Sequence, residues 1–377
     1  MAASRSYRLS LDDPDLYDED TSEITVSSGV VDVAIHRILV HPFVVLRRQC
    51  QVNAWSRKSH IQPFSLLPIM YKLANKHKLE SFYKGIHGVL ILDFTTFICE
   101  GMVSTYTILP SYALHHQEFT HKLKFYTLKG MVACLTGPMY AVAVQLSVQT
   151  MRGKESWNAM DFLKMVAGRY SVWQAPGLGH PLRRTMPVWI IGPVYAAYVL
   201  MKLFIGSSIQ WSLFVWYKRR RERLGRGQVP DVADHRKKDI TSAYLPATNA
   251  LSIATSTKGT IGNIVRRYLS RAIGLTVAEI ILYPFETVLN RLCVQGTRAA
   301  IDNLDTGVDA IPTVYSFRSP LQCASSILKN AGVSGFYRGI GAIGLQIAVY
   351  VLLFGTAEAC LRYFDLENTK SPTEETK

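Results

Sequence analysis

The chain has 377 residues with a formal net charge of +14, yet only 19% of them are charged while 48% are hydrophobic. Soluble domains carry about 25% charged residues, so this composition argues against a set of ordinary soluble domains. A basic balance alone does not make a nucleic-acid binder either, because that needs a basic face on a folded module, and here the charges sit in short blocks between long neutral stretches.

Residues 1–28 open the chain with an acidic tail, Asp12 to Glu23 holding seven acidic residues. Transit peptides are Arg-rich and poor in acids, so no cleavable targeting signal is expected, and the tail has too little apolar surface to fold alone. The first apolar segment, 29–53, carries Asp32, Arg37 and Arg47, and the second, 86–114, only Asp93 and Glu100. Next come 130–151 with no Lys, Arg, Asp or Glu and 185–217 with Lys202 alone. A basic and polar segment, 218–261, follows, dense in charge from Lys218 to Lys238 and containing Pro230 and Pro246, a loop composition. Segment 262–295 then carries Glu279, Glu286 and Arg291, and 339–361 only Glu358. A helix needs about 20 mainly apolar residues to cross a bilayer, where helices and closed barrels alone satisfy the backbone. Four segments qualify outright. The charges of the other two are costly against lipid and belong in a bundle interior. The expected fold is therefore an all-α membrane protein of six transmembrane helices, with both termini on one side.

The chain also repeats itself. Pro42-Phe43 is matched by Pro284-Phe285. Ser81-Phe82-Tyr83-Lys84-Gly85 then follows in the first copy and Gly335-Phe336-Tyr337-Arg338-Gly339 in the last. A middle copy is eroded: Pro138 lies in an uncharged span, and Trp173 stands where the others have tyrosine. Proline within a helix removes a hydrogen bond and bends it, so three bends are expected at Pro42, Pro138 and Pro284. Glycine after the basic residue permits a tight reversal into the next helix, and the aromatic residue can anchor at the interface.

This pattern resembles the mitochondrial carrier family, whose three repeats of about 100 residues each carry P-x-[DE]-x-x-[KR]-x-[RK] and then G-x-x-x-x-[FWY]-[KR]-G. The resemblance implies repeats at 29–114, 122–217 and 262–366, the loop 218–261 between the second and third, and a polar tail at 367–377. The third repeat keeps Pro284, Glu286, Arg291, Gly332, Tyr337, Arg338 and Gly339 but has Leu289 at the first basic position. The first keeps Pro42, Arg47, Tyr83, Lys84 and Gly85, with Val44 for the acid and Gln49 for the second base. The second keeps Pro138, Gly168 and Trp173. Within the family the chain is most similar to the divergent outer-membrane branch, on Leu46 to Asn53 and on 283–303 with Gln295-Gly296-Thr297-Arg298 and Ile301-Asp302-Asn303. That resemblance implies a multi-pass protein of the mitochondrial outer membrane, its termini cytosolic. It also implies a part in fission and fusion balance, cristae organisation and lipid homeostasis, alongside the proteins that carry out those processes.

Transporting carriers close their narrow end with ion pairs between successive repeats. In this chain one acid, Glu286, and one matching base, Arg47, survive, and the family's cyclic order makes them partners. The opposite gate's [FY]-[DE]-x-x-[KR] motif is missing from the even helices. A gated cycle needs two states of similar stability, so a membrane scaffold with no defined solute is expected. The alternative is a residual transporter of a small solute or lipid, for which Asp93, Glu100, Gln145, Gln149 and Glu279 are candidate cavity-lining residues.

No catalytic constellation, cofactor motif or metal-ligand spacing stands out. His115, His116 and His121 lack acidic or cysteine partners at ligand spacing, and the six cysteines are scattered without a pairing pattern. The lipid bilayer is the one partner that composition itself requires. The basic block 218–238 suits either a solvated loop or anionic headgroups, and nucleic acid is not expected.

Overall fold

The computed structural model describes residues 21–77, 79–111, 119–150, 159–172, 185–226, 269–297, 299–306, 310–314 and 316–370. Trp173, His115, His116 and the greater part of the loop 218–261 lie outside them. The described chain is almost wholly helical: α1 (Thr21–Val52), α2 (Leu67–His77), α3 (Ile86–Tyr106), α4 (Phe119–Val148), α5 (Ala159–Tyr170) and α6 (Val188–Arg226). It continues with α7 (Leu269–Ile281), α8 (Tyr283–Val294), a hairpin of β1 (Ala300–Asp302) and β2 (Ala310–Pro312), α9 (Pro320–Ala331) and α10 (Gly341–Lys370).

By length and apolarity, four stretches can cross a membrane among the described residues: 79–106, 119–148, 188–217 and 333–353. The bent pair α7–α8 makes a fifth if it counts as one span. α1, 32 residues long with Pro42 inside it, is also long enough to span. Against the six spans expected from sequence, four or five are found by this measure among the described residues.

The bends also differ from expectation. α7 and α8 meet at 70°, with Pro284 in the first turn of α8. α1 and α4, in contrast, run through Pro42 and Pro138 as unbroken helices. Proline at the start of a helix loses no intrahelical bond, whereas within one it frees the carbonyl four residues back. For Pro138 that carbonyl belongs to Cys134, and Gly192 of α6 packs directly against it, a side chain there falling 2.8 Å from the oxygen. Backbones approach this closely in membrane bundles through small residues, and α4 is the most buried of the apolar helices as a result, with 78% of its window inside the protein.

Several boundaries move. α1 takes in 21–28, inside the segment assigned to the acidic tail. α3 stops at Tyr106, short of residue 114. α6 runs on to Arg226, through the first basic residues assigned to the loop, as Arg and Glu are good helix formers. α10 reaches Lys370.

The core lies where α1, α4 and α8 end together: Val52, Ala143, Val148, Leu289 and Val294 are all fully buried there. β1 and β2 pair antiparallel with Ile301 opposite Ile311 and cross this end of the bundle. β1 is joined to α4 by a bridge from Gln149 to Ile301 and by Thr150 N–H donating to the Ala300 carbonyl at 2.7 Å.

Candidate functional site

The two copies of the proline landmark build the same local structure. The residue before each proline reaches the carbonyl of the landmark's basic residue: His41 Nε2 donates to Lys84 O at 2.8 Å, and Tyr283 Oη donates to Arg338 O at 2.7 Å. The imidazole of His41 must therefore carry its proton on Nε2. Each ring also stacks on the landmark tyrosine, His41 on Tyr83 at 6.3 Å and Tyr283 on Tyr337 at 6.0 Å. The glycines that follow adopt φ of +68° at Gly85 and +80° at Gly339. Both pack tightly on the next odd helix. Gly85 meets Leu146 and Ser147 of α4, and Gly339 meets Cys50 of α1.

The basic side chains continue the pattern. Arg338 donates to the carbonyls of Asn53 and Ala54 at 2.9 and 2.8 Å, satisfying groups at the end of α1. Arg169 of α5 donates to the Cys293 carbonyl of α8 at 2.8 Å. Lys84 instead turns to β1 and forms a buried ion pair with Asp302, which Gln49 also contacts at 3.3 Å. Trp173, the middle landmark, lies outside the described residues.

Arg47, on α1, faces two acids rather than one. Its Nη2 lies 3.1 Å from Glu286 Oε1 and its Nη1 2.9 Å from Glu279 Oε2. Lys202 of α6 holds the other oxygen of Glu279 at 2.8 Å. The cluster joins α1, α6, α7 and α8 and is neutral overall, which is what burial of charge demands. Below it runs a polar seam. Tyr140 Oη donates to Asn290 at 3.0 Å, Asn290 Nδ2 to the Gln51 side chain at 2.6 Å, and Arg291 Nε to the Gln51 carbonyl at 2.9 Å. Arg48 stacks over Tyr140 at 5.5 Å and reaches Ser147 Oγ at 3.2 Å.

The remaining candidate residues do not converge on this cluster. Asp93 pairs with Arg37 at 2.7 Å and Glu100 with Lys129 at 2.7 Å, two separate interhelical ties. Gln145 accepts from Arg169 at 3.4 Å, and Gln149 belongs to the bridge with β1. Of the five cavity candidates, only Glu279 sits with Arg47 and Glu286. Lys202 and Asp302 were not foreseen as site residues: a lone lysine in an apolar span was the available signal for the first, an acid shortly after a helix end for the second. Among the described residues no group of His, Cys, Asp and Glu is arranged to hold a metal ion.

Outside the spans, Asp305 organises the connection after α1. Its carboxylate accepts from Arg57 N at 2.7 Å, Ser56 Oγ at 2.8 Å and Lys58 N at 3.3 Å, and His60 lies 3.7 Å away. Burial alone would raise this carboxyl, but the donors outweigh it and hold the pKa below the usual carboxylate range. Burial pushes the His60 imidazole down in spite of the neighbouring carboxylate. The same loop then clamps α10, with Gly339 N donating to Ser59 O at 2.9 Å and Gly341 N to His60 O at 3.2 Å.

A helical bundle with several apolar spans, a buried charge cluster shared by α1, α6, α7 and α8, and aromatic-basic-glycine turns leading into α3 and α10 has the features of a carrier-type membrane protein. Residues 262–368 match the family model of the mitochondrial carrier protein. The chain is 28% identical over 324 residues to mitochondrial outer membrane protein SLC25A46 of Gallus gallus, covering 86% of this chain and 72% of that one. It is 27% identical over 323 residues to the Danio rerio protein of that name, covering 85% and 74%, and 28% identical over 325 residues to that of Homo sapiens, covering 85% and 70%. The chain thus carries a mitochondrial carrier domain and is similar over most of its length to these outer-membrane proteins; like them, it is a multi-pass protein of the mitochondrial outer membrane.

Proposed function

We propose that the protein is a degenerate carrier, six spans in three pseudo-repeats, that works as a fixed scaffold in the outer membrane. Its role on this reading is in the balance of mitochondrial fission and fusion, in cristae organisation and in lipid homeostasis, through contacts with the proteins of those processes. The observation that carries the scaffold reading is the closure of the narrow end. The hairpin lies across it with Asp302 paired to Lys84 and Ile301 buried, and the charge cluster above is tied to four helices. Such an end has many contacts holding one state and few to favour a second, whereas a transport cycle needs both. The matching placements of His41 with Tyr83 and of Tyr283 with Tyr337 support the repeat assignment. α1, with Arg47 and Arg48 buried, supplies the sixth span.

Purified full-length protein in liposomes, offered anions, nucleotides and labelled phospholipids, tests this reading. No saturable flux is expected. Saturable uptake of any one of them, lost on neutralising Lys202 and Glu279, would establish the residual transporter instead. Orientation is tested separately: protease added to intact mitochondria should remove the tail from Asp12 to Glu23 if the termini are cytosolic.

A further inference from the structure

α6 is longer than a bilayer core requires. Its apolar stretch, Val188–Tyr217, has 30 residues, roughly 45 Å of helix at about 1.5 Å per residue, against a hydrocarbon core of about 30 Å. The start of α6 packs beside the second half of α4, Gly192 against Cys134 and Gly137, so it lies nearer the hairpin end. Its last turns therefore emerge on the opposite face of the bundle, in the headgroup layer. There the sequence changes character. Trp211 and Trp216 are followed within a turn by Arg219 and Arg220, and Trp216 and Arg220, four residues apart, lie one above the other on the helix.

These residues bound a cavity of about 530 Å³ together with Ser212 and Val215. The Arg220 guanidinium sits 5.4 Å over the Trp216 ring, an arrangement that orients the planar fork without consuming its donors. Both arginines are exposed. Among the described residues neither forms an ion pair, whereas Arg37, Arg47, Lys84, Lys129 and Lys202 each pair with an acid on another element. Ser212 donates its proton to the Ser208 carbonyl, leaving the two guanidinium groups as the strong donors of the cleft.

We propose that this cleft binds the headgroup phosphate of an anionic phospholipid in the leaflet opposite the hairpin. Two guanidinium groups match a phosphodiester in charge and geometry, and the indole faces give the glycerol and upper acyl carbons an apolar wall at the depth where tryptophan belts lie. The depth favours a lipid over a soluble phosphate, since the apolar half of the cleft is satisfied only by a ligand with a tail. The site is independent of whether the bundle is a scaffold or a carrier.

Native mass spectrometry of the full-length protein in detergent, titrated with phosphatidylserine or phosphatidylcholine of the same chains, tests the proposal. Phosphatidylserine should be retained preferentially. The double substitution Arg219→Gln/Arg220→Gln should cut that retention roughly 30-fold, each basic residue near a membrane surface being worth about fivefold. Arg219→Lys/Arg220→Lys should keep part of it, with unchanged gel filtration in both variants. A photoreactive phosphatidylserine should crosslink to the peptide spanning 211–220. Equal retention of the two lipids, undiminished retention by the glutamine variant, or crosslinks confined to other helices would overturn the site. So would displacement of the lipid by inorganic phosphate at equal concentration, since the cleft would then be a soluble-anion site. If the glutamine variant lost an acidic protein partner but kept the lipid, a protein interface would replace it.

Discussion

Replacing Arg47 with methionine perturbs the most connected charge in the bundle. Arg47 is 4% exposed, and its removal leaves Glu286, itself 2% exposed, without its cation, while Glu279 keeps Lys202. Breaking a buried pair by deleting one partner costs about 3–5 kcal/mol, because the survivor is an uncompensated buried charge. For a chain of 377 residues that corresponds to a fall in unfolding midpoint of roughly 4–6 °C. Arg47→Met/Glu286→Gln removes both charges and should be more stable than Arg47→Met by about 2 kcal/mol, the coupling expected of contacting residues. The assay is thermal unfolding of the full-length protein in one detergent, for the wild type, both singles and the double. Losses that simply add would refute the pairing, showing that Arg47 acts through packing or through Glu279 alone. Glu279→Gln should be milder than Arg47→Met, since it leaves Arg47 its contact with Glu286.

Three further outcomes are expected. Asp302→Asn strips Lys84 of its buried partner and should loosen the hairpin, read as at least about threefold faster tryptic cleavage after Arg318 when broken buried pairs cost what they usually do; an unchanged rate would mean that the hairpin is held by β1 and α4 alone. Gly339→Ala should leave little folded protein, because φ is +80° and the new methyl group would strike Cys50, while Gly355→Ala, with open space around it, should be silent in the same expression test. The loop clamp should weaken in acid: the His60 pKa is lowered by folding, so its contribution is complete above about pH 6.5, where the unfolded imidazole is neutral, and declines as pH falls through the folded value. Asp305, also lowered, adds a second loss below about pH 4. A His60→Gln variant should flatten the first decline, and an identical pH profile in both proteins would remove His60 from the account.

Helix positions were legible in the sequence because lipid imposes a crude rule, length and apolarity, that α4 and α6 obey with a margin. The nearness of Arg47 and Glu286 could be anticipated from the resemblance to the carrier family, whose cyclic order pairs the acid of the fifth helix with the base of the first. What could not be read was the third and fourth member of the cluster. Glu279 and Lys202 sit 77 residues apart on helices whose relative rotation no local pattern specifies. Asp93 and Glu100 share a helix face, as their spacing suggested, yet each is tied to a different neighbour, Arg37 or Lys129, because facing one way along a helix does not mean meeting the same partner. The hairpin escaped notice for another reason. Strands of three residues are too short to display an alternating pattern, and their place is set by Asp302 and Ile301 docking onto the bundle rather than by propensity.

The contacts of Arg338 with Asn53 and Ala54 join positions 285 and 284 residues apart in the chain. A ribosome adding about 5–20 residues per second makes the second partner roughly 15–60 s after the first. For that interval the carbonyls that end α1 wait for Arg338, and for most of it Arg47 also waits for Glu279 and Glu286, in a setting that has to tolerate bare charge. The settling of the first helix is thereby coupled to the arrival of the fifth and sixth spans, and a chain cut short before Glu279 would present the cell with a charged helix and no acid to match Arg47, a clear mark for removal by quality control.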